Sequence, residues 1–181
     1  MKFIETKLKG SYIIELEKRE DDRGFFARSF CKKEYDAVGL RNEIVQINNS
    51  ESKYKGTLRG MHYQLPPKAE DKIVRCISGA IYDVIIDIRP ESSTFGEWLG
   101  VELSAENKKS LFVPKGFAHG NISLTDNSEL FYLVTEYYSP DHERGIRWND
   151  PEFNISWPVE PIDISEKDSK HRDFDPEYHL T

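Results

Sequence analysis

Three short segments concentrate side chains that can move protons or hold charged ligands. Leu58-Arg59-Gly60-Met61-His62-Tyr63-Gln64 packs a permanent cation, an imidazole, a phenol and an amide into one stretch. An imidazole takes up and returns protons near neutral pH, and a guanidinium fork fits a phosphate. Arg59 and His62 stand three apart, so a regular strand would send them to opposite faces. Gly60 between them permits a bulge that turns both to one side. The plainer reading is an edge strand with a solvent-facing arginine and a structural histidine. Val113-Pro114-Lys115-Gly116-Phe117-Ala118-His119-Gly120 reads as a tight, ordered turn whose histidine sits between small residues, close to any ligand. Asp21-Asp22-Arg23-Gly24-Phe25-Phe26 sets an arginine beside two aromatics, a pairing that can bind phosphate and stack a base. A charged turn followed by an apolar strand is its ordinary alternative.

The elements that must carry these groups are short and β-rich. Runs of β-branched and aromatic residues predict strands at Tyr12–Leu16, Glu43–Asn48, Lys72–Ile77, Ile81–Ile88, Trp98–Leu103, Ser110–Val113 and Leu130–Tyr138. Turn residues separate them and no long amphipathic helix intervenes, which favours a sandwich or barrel. A short helix is expected over Cys31–Val38, stopped by Gly39, and one capped turn from Ser104 over Ala105–Lys108. The polar tail from Ile162 reads as a loose segment or a short surface helix.

Strand parity then says which side chains share a face. Gln46, Asn48 and Ser50 form a row of neutral hydrogen-bonding groups, suited either to solvent or to a polar pocket, with Ile47 opposite. Lys72 shares a face with Val74 and Cys76, so its amine is expected at the rim of an apolar cavity. Tyr132 and Tyr138 share a face with Leu130, Val134 and Glu136.

At 181 residues the chain has the length of one domain, with a core large enough to need no disulfide or metal. A net charge of −7 argues against a general nucleic-acid binder. No apolar run approaches a membrane span, and Met1–Lys7 lacks a signal-peptide core. Cys31 and Cys76 are expected to be buried free thiols in a reducing, cytoplasmic setting. Metal binding is disfavoured, because no His-x-His or His-x-x-x-His pairing occurs. Neither a Gly-x-Ser-x-Gly elbow nor a Gly-rich phosphate loop is present.

In combination, the segments resemble the dTDP-4-dehydrorhamnose 3,5-epimerase family. The likeness runs through Asp22–Phe26, Gln46–Ser50, Leu58–Gln64, Lys72–Arg75, Asp83–Arg89, Thr94–Gly96, Leu103–Asn107 and Pro114–Gly120. It continues through Tyr132, Tyr137-Tyr138, Gly145–Pro151, Trp157-Pro158 and Ser165–Asp168. The resemblance implies an all-β, cupin-type jelly-roll barrel with a few short helices, spanning residues 1–181 and assembled as a homodimer. It implies an isomerase of deoxysugar and polysaccharide biosynthesis that needs no cofactor and no metal. Such an enzyme inverts C3, C5 or both in a nucleotide-linked 4-keto sugar.

By the same resemblance His62 is the base, Asp168 orients it, Tyr132 is the proton donor on the opposite ring face, and Lys72 holds the keto or enolate oxygen. Arg59 and Arg23 grip the diphosphate, Arg23 across a dimer interface. Phe26 and Tyr138 sandwich the base, Gln46 and Asn48 contact base or sugar, and His119 lines the sugar site. Three positions depart from the family pattern. Arg28 replaces a glutamate, Asn121 an aromatic, and Leu133 follows Tyr132 where lysine is common; they bear on nucleotide, sugar and number of centres inverted. A ketoisomerase with the same base, a non-catalytic nucleotide-sugar binding module and a metal-dependent cupin are the competing readings.

Overall fold

The computed structural model describes residues 1–181. In chain order its elements are β1 (Lys2–Glu5), β2 (Tyr12–Glu15), β3 (Arg19–Asp21), β4 (Gly24–Phe26), α1 (Lys32–Ala37), β5 (Gln46–Ser52), β6 (Thr57–Gln64), β7 (Lys72–Ser78), β8 (Ala80–Asp87), β9 (Trp98–Ser104), β10 (Ser110–Val113), β11 (Phe117–Ser123), β12 (Ser128–Val134), β13 (Glu143–Gly145), β14 (Asp163–Ile164), α2 (Glu166–Ser169) and α3 (Pro176–His179). One sheet runs β1-β2-β10-β7-β12-β5. The second runs β13-β6-β11-β8-β9, with β14 parallel to β6; β3 and β4 form a separate hairpin.

Three apolar clusters fix this arrangement. Between the sheets, inward residues of β7, β8, β10 and β12, among them Val74, Cys76, Ile81, Ile85, Leu111 and Leu130, pack into a dry floor. On the outer side of the second sheet, Met61, Tyr63, Val84, Ile86 and Ile146 are covered by the C-terminal segment through Trp157, Phe174 and Leu180. On the outer side of the first sheet, Ile14, Ile73 and Phe112 are covered by α1 through Tyr35. β8 is therefore buried on both faces, which is why Ile81–Ile88 reads as a nearly unbroken apolar run.

The all-β expectation holds, and several boundaries are corrected. β5 begins at Gln46 rather than Glu43, because the Asn42 amide ties the preceding segment to α1 and the Leu40 carbonyl. β12 stops at Val134 rather than Tyr138. There Thr135 turns away, bonding through its N–H to the Asp71 carbonyl and through its hydroxyl to the Asp71 carboxylate. The parity linking Tyr138 to Tyr132 therefore fails. Leu58–Gln64 belongs to β6, an interior strand between β13 and β11, so the edge-strand alternative is overturned. Only the start of the Val113–Gly120 segment is a turn; from Phe117 it is strand β11. The expected turn of helix at Ala105–Lys108 is a reciprocal Ser104–Asn107 hydrogen-bonded turn. Cys76 is buried and Cys31 only half-buried, both as free thiols. The tail is not loose: β14 pairs with Thr57-Leu58, and Ser165 caps α2 by accepting from the Asp168 N–H.

Candidate active site

At one end of the apolar floor the two sheets part around two adjoining hollows of about 300 and 330 Å³. His62, Lys72 and Tyr132 line both. The first also takes Gln46, Asn48, Glu70, Tyr138 and Glu143, and the second Arg59, His119, Asn121 and Asp168. Volumes of this order suit a small-molecule site.

The β6 bulge builds the heart of the site. Arg59 and His62 are three apart on β6 but face Asn121 and His119, which are two apart on β11. Gly60 absorbs the extra residue at φ +120°, and a Cβ there would lie 2.5 Å from the Gly120 Cα. Both Arg59 and His62 then face the second hollow, as the bulge reading expected. Nε2 of His62 lies 2.7 Å from Oδ1 of Asp168, which is buried, while Oδ2 accepts the Gly60 N–H at 3.1 Å. Asp168 reaches this place because α2 follows directly on the β14–β6 pairing. With Nε2–H donating to the carboxylate, the His62 Nδ1 lone pair is the one left to take a proton. Burial opposes ionisation of Asp168, but the His171 and His62 imidazoles and the Gly60 N–H outweigh it and hold its carboxyl far below the usual range.

The facing sheet supplies the other groups. Tyr132 shares the inward face of β12 with buried Leu130 and Val134. Burial, then the nearby Glu70 carboxylate, pushes its phenol pKa up, so it keeps its proton at neutral pH. Lys72 shares the inward face with Val74 and Cys76, as parity required, and pairs with Glu70 at 3.2 Å. The cavity it borders has mixed rather than apolar walls: Gln46, Asn48, Gln64, Glu70 and Glu143 line it beside Val134 and the Tyr63 and Tyr138 rings. Gln46 and Asn48 alternate inward with Ser50 along β5, and Ile47 points out. Tyr138 enters the cavity from beyond the end of β12, its hydroxyl donating to Glu143 Oε2 at 3.0 Å. Lys167 holds the same carboxylate oxygen at 2.6 Å. Arg59 donates to the Glu51 carbonyl at 2.8 Å. His119 pairs through Nε2 with Asp83 at 2.9 Å.

Arg23 and Phe26 are not brought to this cavity within the chain. They sit on the exposed β3–β4 hairpin and line a hollow of their own, Arg23 bonded to Asp21 and Phe26 69% exposed. Of the three departing positions, only Asn121 lines the cavity. Arg28 bonds to Glu34, and Leu133 packs on the outer face of the sheet.

Sequence reasoning missed Glu70, Asp83, Glu143 and His171. Glu70 was detectable, standing two residues before Lys72. His171 carried a weaker signal, one helical turn after Asp168. The ligand atoms of His62, Asp168 and His171 lie within 4.8 Å of one another, near enough to share a cation. The carboxylate's oxygens accept from the His62 and Gly60 N–H groups.

Two facing sheets thus bring a histidine–carboxylate pair, a half-buried phenol and a lysine to one cavity, and the likeness to known proteins makes the chain an isomerase of the cupin-type epimerase class. The family model described as dTDP-4-dehydrorhamnose 3,5-epimerase matches residues 5–176. A protein of that name from Shigella flexneri is 47% identical over 99% of this chain and 100% of its own. A crystal structure of the Bacillus anthracis enzyme of that name, with TDP and PPi bound, superposes with a TM-score of 0.92 at 45% identity, covering 96% of this chain and 99% of that one. A Legionella pneumophila dTDP-6-deoxy-D-glucose-3,5-epimerase, in complex with dTDP-4-keto-L-rhamnose, gives 0.88 at 41% identity, covering 95% and 92%. The chain belongs to the dTDP-4-dehydrorhamnose 3,5-epimerase family. No helix is long and apolar enough to cross a membrane.

Proposed function

We propose that residues 1–181 form a single epimerase domain that inverts C3 and C5 of a dTDP-linked 4-keto-6-deoxy sugar. The carrying observation is that the His62–Asp168 pair, Tyr132 and Lys72 border one cavity from facing sheets. The C4 ketone acidifies the protons on its neighbours, so the protein needs a base, an opposite-face acid and a partner for the enolate oxygen.

In this reading Nδ1 of His62 takes the C3 or C5 proton as the electron pair moves onto the C4 oxygen, forming an enolate. Lys72 donates a hydrogen bond to that oxygen. Asp168 stabilises the resulting imidazolium. Tyr132 returns a proton to the same carbon from the other face, and solvent restores both groups. The transfer is redox-neutral and leaves substrate and product as stereoisomers.

Arg59 holds the diphosphate, His119 lines the sugar, and Gln46, Asn48 and Tyr138 receive the nucleoside. Arg23 and Phe26 complete the site from the second protomer of a homodimer. Their exposure on a hairpin outside this chain's own cavity supports that placement. A cytoplasmic enzyme feeding deoxysugar and polysaccharide synthesis follows from the same reading.

Incubation with dTDP-4-keto-6-deoxyglucose, followed by NMR of the product, tests the assignment. The expected product is the doubly inverted L-sugar. A constitutional isomer with the carbonyl moved, or recovery of unchanged sugar, contradicts it.

A further inference from the structure

One half-buried imidazole beside the site has no part in the chemistry above. His171 lies just beyond α2 and is held there by backbone pairing. Arg172 bridges Ile146, and its carbonyl accepts the Arg147 N–H at 3.0 Å. The His171 ring meets that of His62 edge-on, at 5.6 Å between centroids and 82° between planes. Nε2 of His171 is buried without a conventional hydrogen bond and lies 3.5 Å from Oδ1 of Asp168, the oxygen that His62 uses. Room for the ring is made by Gly145, the residue paired with His62 across β13 and β6. A Cβ on Gly145 would lie 2.3 Å from the His171 ring atoms. The strand opposite the base thus lacks a side chain where the second imidazole lies.

We propose that His171 is a positioning residue for the base, sharing Oδ1 of Asp168 with His62 and closing the side of the His62 ring away from the cavity. The inference rests on the reading of His62 as the base. A second donor on the carboxylate draws part of its negative charge away from the His62 N–H. Without that donor the whole charge of the carboxylate falls on the His62 N–H. The other ionisable groups lining the hollows with His62 are Glu143 from β13, Glu70 just before β7, Lys72 from β7, Tyr63 and Arg59 from β6, Tyr132 from β12, Tyr138 beyond it, His119 from β11 and Lys167 from α2. None of them shares Oδ1 of Asp168.

The test is a ring-proton NMR titration of His62 in the substrate-free protein, with the resonance assigned by its loss in His62→Asn. His171→Leu should move the His62 midpoint upward by roughly half a unit or more. His171→Gln, which keeps a donor, should bring it back toward wild type. Gly145→Ala displaces the His171 ring without deleting it and should act like the leucine variant. The acidic limb of kcat/KM should move with the midpoint. A midpoint unchanged in both His171→Leu and Gly145→Ala, with only thermal stability reduced, overturns the proposal. The titration needs no turnover. Wild-type protein that fails to epimerise therefore defeats the functional reading, while the titration still judges His171.

Discussion

The molecule contains two hydrogen-bonded histidine–aspartate pairs, and in our reading the contrast between them is what suits one of them to proton transfer. His119 and Asp83 come from neighbouring strands of one sheet, β11 and β8. Asp83 is completely buried, its Oδ2 has no partner, and the His119 side chain is only 11% exposed. His62 and Asp168 come from residues 106 apart, the His62 side chain is 32% exposed toward the cavity, and Asp168 takes the Gly60 N–H as well. The same two functional groups thus form a fixed wall in one place and, in our reading, an accessible base in the other. The carboxylate partner is similar; what differs is access for the ring and the extra donors that keep the carboxylate charged.

The largest predicted effect follows from that difference. His62→Ala should lower turnover by roughly 10²–10⁴-fold while the protein stays folded, measured by product NMR and circular dichroism. A His119→Asn enzyme impaired as severely as His62→Ala would erase the distinction. Asp168→Asn should come next, and it carries a second signature in stability. The Asp168 carboxyl is held below its unfolded value of about 3.9. Its contribution is therefore fully present above that value and is lost as pH falls through the lower folded one. Wild-type melting temperature should drop more steeply below about pH 4 than that of Asp168→Asn. Parallel acid melting curves would show that Asp168 is not specially stabilised.

A smaller effect concerns binding. Arg23→Ala and Phe26→Ala should raise KM by about tenfold with little change in kcat, since each would remove a contact to the substrate's handle. Sedimentation as a monomer, with both variants kinetically silent, would remove the hairpin from the site. The smallest effect is expected at His119→Gln, a loss of a few fold expressed mainly in KM.

The legibility of the site follows the range of the forces that built it. Parity along one strand put Gln46, Asn48 and Ser50 on one face, which the structure turns inward, and set Lys72 beside Val74, because alternation is a local property of the backbone. Gly60 between Arg59 and His62 marked the bulge, since only glycine suits the close approach to Gly120. The strand ends were misplaced where side chains captured backbone groups from distant segments: Asn42 before β5, and Asp71 opposite Thr135 after β12. Tyr138 reaches the cavity from a loop, for a reason unrelated to the parity that pointed to it. The tail's role came only through family resemblance, because composition cannot show that Asp163-Ile164 would add a strand beside β6 and deliver Asp168. His171 and Gly145 were not singled out, since their fit across β13 exists only in three dimensions.

The central claim is that His62 and Tyr132 work on one substrate carbon from opposite faces. Its most direct test is turnover of the 4-keto sugar nucleotide in deuterium oxide by wild-type and Tyr132→Phe enzymes. Wild type should give inverted product carrying deuterium at C3 and C5. Tyr132→Phe should exchange label into recovered substrate while inversion falls strongly. Inversion undiminished by Tyr132→Phe, or wild-type product free of deuterium at both carbons, would contradict the account.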